Sequence, residues 1–528
     1  SHNENYREFS DDYNKGIGTT KFGITPLTPD LDGDGDGDFP GLGAFGLPNT
    51  PVDSRLRTPA DTLLATDNSS SDFDTTSFEA RLQSDFDGDF NFTVGALRLN
   101  SIGETNYFVF FNTAEALAVA TGLPVDRTYF RSRSPYKLKA FGAFGEAYWQ
   151  ATDQLKWTLG LRYTEDKKRQ ENTPSLLLAP GTTFPGVENG FGQGGPAQTA
   201  EFEEITGRFG FDYEAGPFWF TDDSLLYANI ARGYKGGGIN PPQSAGLASV
   251  SNTFDPEFIN SFEVGSKSTL FGGAGVLNLA AFYYDYEGYQ ISSIVNRTSV
   301  NENVDATVKG FEAEFYYQVT DNLRIDSTLG LLDTELADQA PLLDTFDQTG
   351  GDPNYVVVKD PATTQNCVAL VSEVNALLAS PFAAAAAGIC SGAAIPLGVN
   401  PVIGIPVDVS GNSLPAAPDI TLSVGAEYEF AMNESWDMSI RGDFYHRGEV
   451  YSRIFNLEAD RIDSFQNANA AIQFTNEDLD MEVELYVKNL LEDDQITNQY
   501  LTDASSGLFT NTFLLEPRQF GVRLKKQW

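Results

Sequence analysis

Apolar and polar residues alternate strictly over stretches of roughly ten positions along much of the chain. Ile420, Leu422, Val424, Ala426, Tyr428 and Phe430 interleave with Thr421, Ser423, Gly425, Glu427 and Glu429. Trp436, Met438, Ile440 and Phe444 do the same against Asp437, Ser439, Arg441 and Asp443. Leu155–Tyr163 and Met481–Val487 repeat the pattern. A period of two is the signature of a strand with one apolar and one wet face. A soluble sandwich would pack the apolar face on a second sheet. Here nearly every long strand shows the pattern, with aromatics near its ends, which predicts a lipid-facing band flanked by interfacial girdles. Ile420, Leu422, Val424, Met438 and Ile440 are therefore expected to face lipid, and Glu427, Arg441 and Asp443 the lumen.

Connection lengths alternate too. Short turns are expected near Asp85–Asp89, Thr152–Gln154, Ala215–Asp223, Gly272–Gly275, Thr320–Asn322, Ala431–Glu434 and Thr475–Asp478. Long loops run over about 101–134, 170–200, 235–257, 290–304, 337–416, 450–461 and 492–512. Short periplasmic turns and long extracellular loops describe an outer-membrane barrel. Seven hairpins and a last strand over 513–528 give about fifteen strands. Single-chain bacterial barrels have an even number. The odd count implies that at least one strand precedes Ser1, with 1–73 a surface loop and 74–528 the barrel.

Composition narrows the class. The 528 residues contain no apolar run long enough for a spanning helix, so a membrane-spanning form must be a closed barrel. Aromatics reach 12%, with 39 Phe and 22 Tyr, and fit the girdles. The net charge of −40 argues against nucleic acid as a partner. Two histidines, His2 and His446, make histidine-based catalysis or zinc binding improbable, and no convergent catalytic set or P-loop is visible. The chain is not expected to be an enzyme.

Several segments taken in order resemble the TonB-dependent receptor family. They are Leu225–Asn240 (LLYANIARGYKGGGIN), Phe254–Lys267 (FDPEFINSFEVGSK), Asn278–Gln290 (NLAAFYYDYEGYQ) and Val308–Glu314 (VKGFEAE). Gly411–Pro418 (GNSLPAAP), Leu485–Leu490 (LYVKNL) and the closing EPRQFGVRLKKQW continue the series. Order and spacing over 75–528 carry the resemblance; no single motif does. It implies a transmembrane antiparallel β-barrel of the outer membrane, usually of twenty-two strands. Gly233 and Gly236–Gly238 are expected to relieve crowding at a strand end, and Pro415 and Pro418 to break a loop. By the resemblance, Trp528 is the terminal aromatic read by the barrel-assembly machinery. The family's TonB box, plug and about seven strands are not among these residues.

Local candidates remain. Asp30, Asp32, Asp34, Asp36 and Asp38 in PDLDGDGDGDFPG open like a calcium loop, although position twelve is Gly41, not the bidentate Glu. The expectations there are a calcium ion or a solvated acidic loop. Cys367 and Cys390 lie in the longest loop, where an oxidising compartment favours a disulfide over two buried thiols. CVALVSEVNALLAS and NTAEALAVATG each read as a short helix. Tyr107, Phe108, Phe110 and Phe111 are expected in a loop, packed in a loop core or meeting a ligand or partner.

The resemblance implies import of a scarce ligand (ferric siderophore, vitamin or oligosaccharide) driven through TonB, in the outer membrane of a Gram-negative bacterium. Expected partners are membrane lipid and lipopolysaccharide, the TonB complex, and a small-molecule or glycan ligand. No cofactor is required beyond the calcium ion considered above. The rival reading is a structural or surface-display barrel that holds a partner protein or glycan layer through its loops.

Overall fold

The computed structural model describes residues 2–11, 65–111, 130–171, 176–177, 197–240, 251–295, 298–337, 341–360, 365–390, 394–501, 508 and 510–526. Sixteen long strands form one antiparallel sheet. They are β1 (His2–Asp11), β2 (Ala65–Gln83), β3 (Phe90–Phe111), β4 (Phe130–Thr152), β5 (Leu155–Gln170), β6 (Gln198–Glu214), β7 (Asp223–Lys235) and β8 (Glu257–Leu270). Then follow β9 (Gly275–Val295), β10 (Thr298–Gln318), β11 (Leu323–Leu336), β12 (Ile420–Ala431), β13 (Asp437–Arg447), β14 (Phe465–Asn476), β15 (Met481–Lys488) and β16 (Gln519–Lys526). Leu176–Leu177 adds a short seventeenth strand beside β4. Every long strand pairs with its chain neighbour, so the topology is a pure meander.

The ladder sorts side chains into two faces. On β12 and β13, Val424 pairs with Phe444, Tyr428 with Ile440 and Phe430 with Met438, so the expected lipid set shares one face. The same register carries Leu161 and Ile205, 59% and 69% exposed, onto that outward face. No second sheet covers these residues among the described ones, and lipid is the solvent that suits them. The opposite face carries the charges. Arg441 lies 3.1 Å from Asp326, 2.5 Å from Asp443 and 3.7 Å from Glu427, which also meets Arg324. Arg208 clasps Glu146 through two bonds of 2.6 and 2.8 Å, and Arg523 meets Glu484 at 2.6 Å. Half-exposed pairs like Arg208–Glu146 add little stability each, ~0.2–1 kcal/mol. They do balance charge along a wet wall.

Several strands outrun the boundaries expected from alternation. Residues 1–73 are not simply a loop: β1 pairs Asn3 with Thr75 and Asp11 with Asp67. Among the described residues the sheet holds sixteen long strands, in line with the expected count of about fifteen. The expected 101–134 loop is strand up to Phe111 and from Phe130, so Tyr107, Phe108, Phe110 and Phe111 sit on a paired strand; their side chains are not described. The 290–304 loop is a hairpin whose arms reach Val295 and Thr298. The last strand begins at Gln519, because 492–512 largely folds into its own hairpin of Ile496–Leu501 and Thr510–Leu514. In the first three places the hydrogen-bond ladder continues above the apolar band, where either face is wet and alternation carries no signal; in the fourth a separate hairpin stands apart from the main sheet.

Asp30, Asp32, Asp34, Asp36 and Asp38, the NTAEALAVATG segment and Trp528 lie outside the described residues.

Candidate ligand site at the loop end

Among the described residues, the 290–304, 337–416, 450–461 and 492–512 connections fold into a layer that is anchored to the inner wall. Ile291, Val304, Ala306 and Leu336 from β9–β11 pack with Leu342, Val409 and Leu414 from the 337–416 loop, all buried. A bulge makes this contact. Below it, odd residues of β9 face outward: Tyr283 pairs with Lys309 and is 43% exposed. The register shifts between Tyr286 and Tyr289, at Gly288, whose φ is +68°. One extra residue reverses the face of everything above it. Tyr289 and Ile291 thus turn under the loops rather than out to lipid. A Cβ on Gly288 would stand 2.9 Å from the Pro256 carbonyl oxygen.

A second core lies within the 337–416 loop itself. The hairpin Tyr355–Asp360 with Gln365–Leu370, the helix α1 (Val371–Leu378) and the 3₁₀ turn Ala383–Gly388 bury Val358, Ala369, Leu377, Ile389 and Val399. Only Val371–Leu378 of CVALVSEVNALLAS is α-helical; Cys367–Leu370 belongs to the hairpin. Cys367 and Cys390 are joined by a disulfide in this core, with Cα atoms 5.5 Å apart.

The GYKGGGIN segment closes one side. After β7 the chain turns inward, and Gly236 packs beside Asp166 while Gly237 lies against the Phe202 ring and the Phe254 carbonyl. A side chain at Gly237 would displace that backbone. Asn240 is buried; its amide donates to the Ser251 and Asn301 carbonyls at 2.9 and 3.1 Å and accepts from the Asn301 N–H at 2.8 Å. It staples two loops with one side chain. Gln290 adds a third tie, donating to the Gly236 and Asp255 carbonyls.

Four connections converge on a cavity of about 350 Å³. Its walls are Tyr289–Ser293 of β9, Leu342, Leu343 and Thr345, Pro415, Ser452–Phe455, and Gln499–Leu501. Arg453 holds these walls together. Its Nε and Nη2 donate to the two Asp460 oxygens at 2.6 and 3.0 Å, and its Nη1 donates to Asp344 at 2.6 Å. Both carboxylates are nearly inaccessible, at 5% and 3%. The Phe346 and Phe455 rings flank the guanidinium at 5.7 and 5.3 Å. Burial pushes the Asp460 carboxyl up, against the pull of Arg453, and the neighbouring Asp344 pushes it further. With Nε, Nη1 and Nη2 of Arg453 each donating to a buried carboxylate, the rest of the cavity wall offers hydroxyls, amides and aromatic or aliphatic groups. Among the described residues no cluster of three His, Cys, Asp or Glu could hold a bare metal ion. Neither Arg453 nor its partners stand out in the sequence: Asp344 is 109 residues away, and no spacing announces the triad.

The family profile described as "TonB dependent receptor-like, beta-barrel" matches residues 2–490. The chain belongs to the TonB-dependent receptor family. The TonB-dependent barrel assignment agrees with the fold comparisons. The ferric yersiniabactin uptake receptor of Yersinia pestis superposes with a TM-score of 0.58 at 16% identity, over 88% of this chain and 55% of that one. A copper transporter gives 0.54 at 14%, over 89% and 59%. A siderophore receptor of Acinetobacter baumannii gives 0.53 at 15%, over 88% and 57%. At such identities the likeness establishes the fold alone. In sequence, the pesticin receptor of Yersinia enterocolitica is 27% identical over 205 residues, 38% of this chain and 27% of that protein. The chain therefore spans little more than half the length of these solved receptors and about a quarter of that sequence relative. Family and neighbours are transport receptors, not enzymes.

Proposed function

We propose that this TonB-dependent barrel sits in the outer membrane of a Gram-negative bacterium, long loops outward, and imports a metal carried by an organic chelator. The observation that carries the proposal is the loop-end cavity: hydroxyls and amides set among aromatic and aliphatic walls, with its arginine held by two carboxylates, suit an organic ligand that brings its own metal ligation. The names of the similar proteins, a siderophore receptor and a ferric yersiniabactin uptake receptor among them, favour the same ligand class. Energy enters through TonB, as the family implies.

The test is accumulation of radioactive iron from a panel of ferric chelates, in cells whose own receptors are deleted and which express the full-length gene product. TonB-dependent uptake of at least one chelate is expected, and Ser293→Trp, which puts an indole into the cavity from the same face as Ile291, should lower it severalfold. Surface expression without TonB-dependent uptake of any iron or copper chelate would overturn the proposal in favour of a display barrel.

A further inference from the structure

An arginine at the loop end of the wall has no counter-ion beside it. Arg441, Arg453, Arg208, Arg232 and Arg523 all meet carboxylates. Arg447, the last residue of β13, follows Arg441, Asp443 and Tyr445 on the lumenal face, in register with Thr421 and Phe465. It is partly buried, with its guanidinium 4.6 Å from the Phe465 ring. Its Nη1 donates to the Thr497 carbonyl at 3.0 Å. Its Nε and Nη2 are shut off from solvent and have no hydrogen-bond partner. Carboxylates are plentiful in a chain of net charge −40, yet among the described residues none pairs with this guanidinium.

The two unpartnered donors have a definite shape. Nε–H and Nη2–H lie parallel along one edge of the guanidinium, the edge that grips both oxygens of a carboxylate. Arg453 uses that same edge on the two Asp460 oxygens, at 2.6 and 3.0 Å. A buried donor without an acceptor is costly, so a fork held in this way calls for an acceptor that arrives from elsewhere. A complementary atom stands nearby. Asn467 follows Phe465 by two residues on the same face, opposite Tyr445, and its Oδ1 is also buried without a partner. The Tyr445 and Phe465 rings lie 5.7 Å apart beside them. Two parallel donors with an acceptor close by suit a carboxylate that has a hydroxyl or N–H on the neighbouring carbon.

Arg447 also stands at the foot of two cavity walls. The chain runs from it into Ser452–Phe455, which form one wall. Thr497 belongs to the Ile496–Leu501 strand, whose Gln499–Leu501 form another. We propose that Arg447 and Asn467 make a carboxylate-recognition site below the cavity, and that the imported chelate is one that keeps a free carboxylate. The inference rests on the reading that the cavity takes a metal chelate, and it narrows that class. The Thr497 bond holds the 496–514 hairpin to the guanidinium, so the carboxylate enters as that hairpin lifts.

Uptake of radioactive iron by cells expressing the full-length gene product tests this. The probes are ferric trihydroxamates and ferric tricatecholates, each made with a pendant carboxylate and again as its methyl ester. The acid should half-saturate uptake at a concentration at least about tenfold below that of its ester, as loss of a charged two-bond contact predicts. Arg447→Gln should bring the acid to the level of the ester and leave the ester unchanged. Arg447→Lys keeps the charge but not the fork, and should lose most of the acid's advantage. It carries the same comparison should Arg447→Gln not reach the cell surface. Acid and ester taken up equally well by the unmodified protein would overturn the carboxylate site and leave the chelate reading standing. Variants that weaken acid and ester alike would show that Arg447 merely props the hairpin, and would overturn it too. Uptake of none of the probes, nor of any other chelate, would remove the chelate reading and this inference together.

Discussion

At the scale of single residues, Arg453 decides whether the loop layer is stable. It neutralises two carboxylates that are otherwise out of reach of water, and removing one partner of a buried ion set typically costs ~3–5 kcal/mol because the remaining charge is stranded. Arg453→Met should therefore open the 450–461 and 337–416 loops to protease at neutral pH. The pH dependence has a definite sign. Without the arginine, Asp344 and Asp460 face each other in a dry site, and Asp460 is already pushed up by burial. Carboxyls whose folded pKa lies above the unfolded value favour folding fully below the unfolded pKa, and that contribution is lost as pH rises through the folded one. Protease resistance of the variant should thus recover partly on acidification. Resistance that is unchanged at neutral pH, or falls further in acid, would show that the triad does not hold the loops.

At the scale of elements, the two-residue period made the spanning strands legible, because lipid on one side and water on the other force alternation. Glu427, Arg441 and Asp443 fall on one face and Ile440 and Val424 on the other for that reason. The extensions were not legible. Asn5, Tyr6, Arg7 and Glu8 of β1 meet Phe73, Asp72, Ser71 and Ser70 through the backbone, where no solvent contrast imposes a pattern. The site was the least legible part, since it is assembled from four loops whose contacts span tens to over a hundred residues. One local signal did exist: Gly288 inside an otherwise regular aromatic strand, the usual mark of a bulge. Gly288→Ala tests its role. Alanine at φ +68° costs about 1–2 kcal/mol, and the Cβ meets the Pro256 carbonyl. Chelate uptake should fall and the loops become protease-sensitive, while far-UV circular dichroism of the sheet stays unchanged. Full uptake by this variant would separate the bulge from the site.

At the scale of the whole molecule, the protein comprises a lipid-facing sheet and a roof of loops with cores of its own. The roof's inner core is cross-linked by Cys367–Cys390, which are 23 residues apart. Closing a loop of that length limits its unfolded ensemble, by about 3 kcal/mol in the chain-entropy account. Reduction, or the Cys367→Ser and Cys390→Ser double variant, should expose the 355–400 region to cleavage and leave the strand spectrum and the heat-modified gel mobility of the barrel intact. Loss of both together would mean that roof and sheet are one cooperative unit.

The meander has a consequence of another kind. Because each long strand of the sheet bonds to the long strands before and after it, every long connection begins and ends on the same pair of neighbours. A loop can be lengthened, replaced or borrowed from another gene without rewiring the sheet. What restrains such exchange here is the handful of side chains that tie one connection to the next, Asn240 and Gln290 foremost. Heritable change in what the protein recognises should accordingly travel in groups of loops: those stapled together would be replaced together, and the untied ones would drift alone.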